Sequence, residues 1–247
     1  VTIFRLVTWN VLHRVHAANW PEPSTANLPP EPARLRAIAN RVREWLEDGA
    51  DAVCLQEVSG DQLAALRAGL PETFEVVAHR YPRVPQLRKP GRVLLDDSSE
   101  HLVVVSRAGR AQRSLGETSA DDGGKGLLAV QLDAALVVCT HVSFGSKGAA
   151  QLARLAAVAR QANGPALIAG DFNAPREAVA TGLGEDFLCA DLAGQPPTRV
   201  GQGRAGAEHI DHVAVRGAMV RAARVLDTAG LSDHAPVDAT LALRGLP

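Results

Sequence analysis

The sequence predicts an α/β fold, a sandwich of mixed β-sheets with helices packed on them. Apolar runs of strand length outnumber stretches with helical periodicity. Strands and helices do not alternate regularly, which argues against a doubly wound parallel sheet. No repeat and no linker divides the 247 residues, so 1–247 read as a single domain.

The elements follow in order. Residues 3–8 are a first strand. "PEPSTANLPPEP", 21–32, is too rich in proline for a helix or a central strand. A helix starts at Glu31, with Leu35, Ile38, Ala39, Val42, Trp45 and Leu46 on one stripe and Gly49 as its stop. "DAVCLQEV", 51–58, is a buried strand, Asp61 to Leu70 a short helix and "FEVVAH", 74–79, a further strand. "HRYPRVPQLRKPGR", 79–92, is a basic loop. "HLVVVSR", "LLAVQL" and "ALVVCTH" are three strands, and 147–162 is a helix with Leu152, Leu155, Ala156 and Ala159 turned inward. A strand at 166–169 leads into irregular chain. "GQPPTRVGQGRAGAE", 194–208, is a long Gly/Pro-rich loop, and "HIDHVAV" and "PVDATLAL" are the last strands.

Composition narrows the function. The chain has 26 basic and 27 acidic residues, a net charge of -1, which argues against a surface given over to nucleic acid but leaves room for a local basic groove. At 4% aromatic residues, an extended base-stacking platform is disfavoured. Cys54, Cys139 and Cys189 are unpaired in spacing and sit in apolar segments, as reduced thiols of a cytoplasmic protein do. The opening "VTIFRLVTWN" is a strand pattern rather than a secretory signal, and no apolar run is long enough to span a membrane.

The chemistry gathers at strand ends. "PALIAGDFNAP", 165–175, places Asp171 and Asn173 two residues apart at the end of a buried strand, where alternation points both the same way. Taken alone the pair also suits a turn. Other strands end alike: "VTWN" in Asn10, "CLQE" in Glu57, "VCTH" in His141, "HID" in Asp211, and "GLSDHAP" supplies Asp233 and His234. The set is rich in oxygen donors plus histidine and contains no cysteine. Hard donors of this kind suit Mg²⁺, Mn²⁺ or Ca²⁺ rather than structural zinc. His212 follows Asp211 and turns to the opposite face. His13 and His16 lie near the expected rim as weaker candidates for substrate contact.

The motifs WN, LQEV, TH, GDFN, ID and SDH, in this order from Thr8 to Pro236, resemble those of the endonuclease/exonuclease/phosphatase superfamily. The resemblance implies a four-layer α/β/β/α sandwich, deoxyribonuclease-like, of two mixed sheets flanked by helices. It implies hydrolysis of a phosphoester with Mg²⁺ or Mn²⁺. Glu57 would be the main metal ligand, with Asn10 beside it and Asp233 as a second or outer ligand. Asp171 would orient and deprotonate the attacking water, Asn173 would hold a phosphate oxygen, and His141 would donate to the phosphate. His234 would do so from the other side, kept protonated by Asp211.

The sequence also departs from the family pattern. No arginine follows the glutamate in "QEVSGDQ", Gly148 stands where an arginine often follows TH, and Tyr81 is the only tyrosine. Glu100 is the nearest candidate for a carboxylate partner of His141. The basic cluster Arg80, Arg83, Arg88, Lys89 and Arg92 is either a solvated loop or a flap over an anionic substrate, with Arg88, Lys89 and Arg92 as the substrate-binding candidates. The preferred expectation is a monomeric phosphodiesterase or phosphatase acting on a small or single-stranded phosphoester, with duplex DNA a poor partner. The alternatives are a nuclease of the abasic-site or deadenylase kind, and a binding protein that kept the fold without turnover.

Overall fold

The computed structural model describes residues 1–19, 25–87, 96–199 and 208–244. The chain opens with β1 (Thr2–Asn10), a short helix α1 (Arg14–Asn19) and the long helix α2 (Glu31–Glu47). It continues through β2 (Ala52–Ser59), α3 (Gly60–Gly69), β3 (Phe74–Arg80) and β4 (Glu100–Arg107). It then crosses to a second sheet with β5 (Arg113–Ser119), β6 (Asp122–Gln131), β7 (Leu136–His141), α4 (Ser146–Arg160), β8 (Ala166–Asp171), α5 (Arg176–Leu183), β9 (Leu188–Cys189) and β10 (Asp211–Arg216). β11 (Ala218–Val225) and β12 (Val237–Leu243) return to the first.

Each sheet has six strands, in the orders β11-β12-β1-β2-β4-β3 and β5-β6-β7-β8-β10-β9. β1 and β2 run parallel, as do β7 and β8, and the remaining pairs are antiparallel. Alternation sorts the apolar residues into layers. Leu6, Cys54, Val104, Leu128, Cys139, Leu167 and Val213 fill the space between the sheets. On the outer face of the first sheet, Val7, Trp9, Val53 and Leu55 meet Ile38, Val42, Trp45 and Leu46 of α2. On the outer face of the second, Val138 and Ile168 meet Leu152, Leu155 and Ala156 of α4 and Val179 and Leu183 of α5. The central strands are therefore apolar on both faces, which explains their unbroken apolar runs. The result is the expected α/β/β/α sandwich of mixed sheets.

Five elements depart from the sequence reading. β5 and β11 are outer strands of their sheets, carry Arg113, Glu117, Arg221 and Arg224, and are largely exposed, so their apolar signal is weak. α5 and the two-residue β9 lie in chain read as irregular, and α1 in a stretch to which no element was given. The stripe of α2 holds at Ile38, Ala39, Val42, Trp45 and Leu46, but at its start Arg34 is fully buried and Leu35 only half-buried. All three cysteines are free and buried. Among the described residues, no helix is long and apolar enough to cross a membrane.

Candidate active site

Three neighbouring strands of the second sheet end at one level. Register sets His141 opposite Asp171 across β7 and β8, and Asp211 opposite Asp171 across β8 and β10. Gly170 makes this approach possible, since a Cβ there would stand 1.9 Å from the Thr140 carbonyl oxygen. Beyond Asp171 the chain buries Phe172 and turns at Asn173, whose φ of 48° is a left-handed conformation that asparagine tolerates. The Asn173 N–H donates to Asp171 Oδ1 at 2.9 Å and its side-chain amide donates to the Val142 carbonyl at 2.9 Å. The two residues therefore form one rigid corner.

The first sheet supplies the opposite wall. Leu55 pairs with Val103 but Val58 pairs with His101, so β2 carries a bulge at Gln56 and Glu57. Glu57 has φ 56° there, a conformation that costs a non-glycine residue roughly 1–2 kcal/mol and re-aims its carboxylate. Asn10, at the end of β1, links the two sheets. Its amide nitrogen donates to Glu57 Oε1 at 3.1 Å and to Asp171 Oδ2 at 3.0 Å, while its oxygen accepts from the Leu12 N–H at 3.0 Å. In this arrangement Asn10 ties the carboxylates together rather than presenting an oxygen to a cation. The last motif is stitched to the first: Trp9 Nε1 donates to the His234 carbonyl at 2.8 Å, and Ser232 Oγ to the Asn10 carbonyl at 2.7 Å.

Around this frame the titratable groups converge. His141 Nε2 lies 3.3 Å from Asp171 Oδ2 and 3.9 Å from Glu57 Oε1, and its Nδ1 is 3.9 Å from Glu100 Oε1, the partner suggested by the sequence. His234 Nδ1 is 2.9 Å from Asp211 Oδ2, and its Nε2 is 3.9 Å from Asp171 Oδ2. Lys125 reaches in from β6 and touches His141 Nε2. His16 Nδ1 stands 3.6 Å from Glu57 Oε2. His13 is fully buried, its ring against the Ser99 carbonyl, and burial pushes it down to about 4, so it supports the fold while His16 lines the cleft. His212 is buried against the Ala174 carbonyl, away from the site as alternation requires.

Electrostatics assign the charges. Burial would raise Asp171, but His141, His234 and Lys125 together hold it well below the usual carboxylate range. Burial opposes Glu57 likewise, and His16, His141 and Lys125 keep it well below. Burial would lower His234, yet Asp211 and Asp171 raise it to about 10. Burial pushes Asp211 up to about 6 against the pull of His234, so the pair holds a single proton, on the imidazole, at neutral pH. Burial and Glu57 raise Glu100 to about 8. Burial and Lys125 lower His141, and burial lowers Lys125 against the attraction of Asp171, Glu57 and Glu100.

These groups line a cleft of about 560 Å³. Two sets of donors could hold a cation, Glu57 with His141 and Asp171, and Asp171 with Asp211 and His234, each set with ligand atoms within 4.8 Å of one another. The first suits Mg²⁺ or Mn²⁺, ions that take one or two carboxylates and complete their shells with water and phosphate oxygens. The second is committed to its ion pair. Asp233 lies outside both sets: it lines the cleft with Oδ2 3.6 Å from Arg199, and its buried Oδ1 has no hydrogen-bond partner. Arg88, Lys89 and Arg92 fall outside the described residues; of the same basic loop, Arg83 lines the cleft.

The sequence reading missed two residues. Lys125 sits between glycines in "GGKGLL", with nothing nearby in sequence to mark it. Arg34 left a signal, a cation at helical spacing with Ile38, Val42 and Trp45 on the apolar stripe of α2.

Two six-stranded sheets between helices, with carboxylates and histidines converging where the strands end, define the deoxyribonuclease-like class of folds. The chain belongs to the Endonuclease/Exonuclease/phosphatase family, whose model matches residues 7–234 and so takes in every candidate catalytic residue. Among solved structures it is similar to the endonuclease/exonuclease/phosphatase from Bacteroides vulgatus, at 20% identity over 99% of this chain and 100% of that one, with a TM-score of 0.71. It is similar to the endonuclease/exonuclease/phosphatase from Beutenbergia cavernae, at 21% identity over 100% and 73% with a TM-score of 0.70. It is also similar to D. rerio TDP2 complexed with single strand DNA product, at 14% identity over 98% and 99% with a TM-score of 0.69. No curated protein matches the sequence.

Proposed function

We propose that the chain, as one catalytic domain acting as a monomer in the cytoplasm, is a Mg²⁺- or Mn²⁺-dependent phosphoesterase for a small or single-stranded phosphoester. The observation that carries this reading is the convergence of Asp171 with Glu57, His141, Lys125 and the His234–Asp211 pair in one cleft. Glu57, with Asp171 and His141 beside it, would hold the metal, which supplies charge to a phosphate oxygen and to the leaving oxygen.

The chain's own groups account for the rest. Asp171 is ionised and fixed by donors from Asn10 and Asn173, so it can accept a hydrogen bond from water and take its proton as the oxygen attacks phosphorus. The His234 imidazolium, oriented by Asp211, donates to a non-bridging oxygen on which charge grows. Lys125 and His141 stand on the other side of Asp171, where a second phosphate oxygen would lie. The free thiols suit a reducing compartment.

A second reading, a nuclease on single strands, draws on the likeness to a TDP2 complexed with single strand DNA product and on Arg83, Lys147 and Arg199 along the cleft. The test is hydrolysis of bis(p-nitrophenyl) phosphate and of short oligonucleotides with Mn²⁺, at two salt concentrations. Glu57→Gln is assayed alongside, with calorimetric titration of Mn²⁺. Turnover that requires metal, with weakened Mn²⁺ binding in the variant, is expected. Unchanged affinity for Mn²⁺ would remove Glu57 as the ligand. A steep loss of oligonucleotide affinity with salt would favour the nuclease.

A further inference from the structure

We propose that Phe144 is the seat for an unpaired nucleobase beside the scissile phosphate. The inference rests on the phosphoester reading and narrows it to nucleotide phosphodiesters. Phe144 is 62% exposed, while every other described Phe, Tyr and Trp is at most 9% exposed. Burial thus accounts for the other rings and leaves this one unexplained. Its position is equally distinctive, because it lines the catalytic cleft three residues after His141.

The backbone that carries Phe144 is built into the site. The Val142 N–H donates to the Asp171 carbonyl at 2.9 Å, and the Val142 carbonyl accepts from the Asn173 side chain at 2.9 Å. The Ser143 N–H donates to Gln151 Oε1 at 2.8 Å, and its hydroxyl donates to Asp122 Oδ2 and accepts from Gln151 Nε2, each at 2.9 Å. On the other side Gly145 turns with φ 68° and its carbonyl accepts from Gly148, opening α4. The ring is therefore presented from an anchored corner, which lowers the ordering cost of a stacked ligand.

The surroundings choose the ligand. Arg83, 2.8 Å from Asp122, Arg199, 3.6 Å from Asp233, and Lys147, which donates to the Asp121 carbonyl at 2.9 Å, border the same cleft, and each could turn to a phosphate on either side of the scissile one. Among the exposed large apolar side chains of the described residues, Leu87 alone joins Phe144 there, at 42% exposure. One exposed phenyl ring beside groups that suit a phosphate fits a planar base tethered to that phosphate. A base inside a duplex has both faces covered and cannot stack on it, so the seat selects single strands or dinucleotide-like esters.

The test uses two oligothymidylates of equal length and charge, one carrying a tetrahydrofuran abasic residue next to the cleavable phosphate. Phe144→Ala should lower kcat/KM on the base-bearing strand by about 5- to 100-fold, the usual worth of one aromatic stack. The loss should be at least about fivefold smaller on the abasic strand, and Phe144→Trp should restore activity. In an Asp171→Asn background, the indole emission of Phe144→Trp relative to its parent should be quenched by the base-bearing strand and not by the abasic one. Equal losses on the two strands, no loss on either, or no selective quenching would overturn the seat. If the wild-type protein cleaves neither strand with Mn²⁺ but the quenching is selective, the hydrolase reading fails and the seat stands.

Discussion

Arg34→Met should destabilise the protein by about 4 kcal/mol and disable the site without touching it. The Arg34 guanidinium is fully buried and uses all five of its donors. It donates to the Val11, Leu231 and Leu12 carbonyls at 2.8, 2.9 and 3.0 Å, and to both oxygens of Glu31 at 2.8 and 2.9 Å. Methionine keeps the apolar stem and removes the fork. Leu12 O retains Gln62 as a donor at 3.1 Å, but Val11 O and Leu231 O lose the guanidinium and Glu31 loses its counter-ion. At ~1–3 kcal/mol for each group left without its partner, a total of about 4 kcal/mol follows. For a chain of this size that lowers Tm by about 8–16 °C. Val11 and Leu12 follow Asn10, and Leu231 precedes the Ser232–His234 stretch, so kcat/KM should also fall, by about 10- to 100-fold. Urea and thermal unfolding with a phosphodiester assay measure both. Glu31→Gln is the control, with a loss of only about 1 kcal/mol, because the carbonyl contacts remain. A melt within about 3 °C of wild type, with kcat/KM unchanged, would refute the role given to Arg34.

Asp171→Asn should lower turnover by about 10²–10⁴-fold with little change in substrate affinity, measured by single-turnover kinetics and binding; near-normal turnover would assign the water to another group. Lys125→Met removes a cation facing Glu57 and Asp171, so calorimetry should find Mn²⁺ bound about tenfold more tightly and inorganic phosphate more weakly. His234 is raised from its ordinary 6.5 to about 10, so its contribution to stability is complete below pH 6.5 and lost as pH rises through 10. The difference in Tm between wild type and His234→Gln should therefore shrink between pH 7 and pH 10. A constant difference would mean that the imidazole is neutral in the fold.

The sandwich and most of the candidate site were legible because both follow from alternation. A strand buried on both faces reads as an apolar run, and a polar residue at its end has nowhere to point but the sheet edge. Asn10, Glu57, His141, Asp171 and Asp211 were found in that way. The bulge at Glu57 was not visible, since it depends on how Leu55 and Val58 pair with β4. Asn10 was expected to hold metal or phosphate; the sequence did not show that its side-chain oxygen accepts from the Leu12 N–H while its amide nitrogen donates to both carboxylates. Lys125 is a lysine in a glycine-rich strand until β6 is laid beside β7, which sets Gly126 opposite His141. The outer strands β5 and β11 were missed because each has one sheet neighbour and polar residues where inner strands are apolar.

The charges in the cleft bear on the order in which it fills. Glu57, Asp171 and Asp211 carry three negative charges, and Lys125 and His234 carry two positive ones, while Glu100, raised to about 8, holds its proton at neutral pH. At the rim Arg83, Lys147 and Arg199 stand against Asp122 and Asp233, so the excess of negative charge is confined to the inner groups, where a phosphodiester entering alone would be repelled. A divalent cation held by Glu57 with Asp171 and His141 would reverse that sign, so that the His234 imidazolium and Lys125 could turn from the carboxylates to the phosphate oxygens. On the proposed function, metal and phosphate would therefore favour each other's binding, and by linkage the phosphate would tighten the metal by the same factor. The same balance would explain why Lys125 belongs in a site proposed to hold a cation. On its own it offsets the repulsion between Glu57 and Asp171, and it would have a phosphate to bind once a metal took that part.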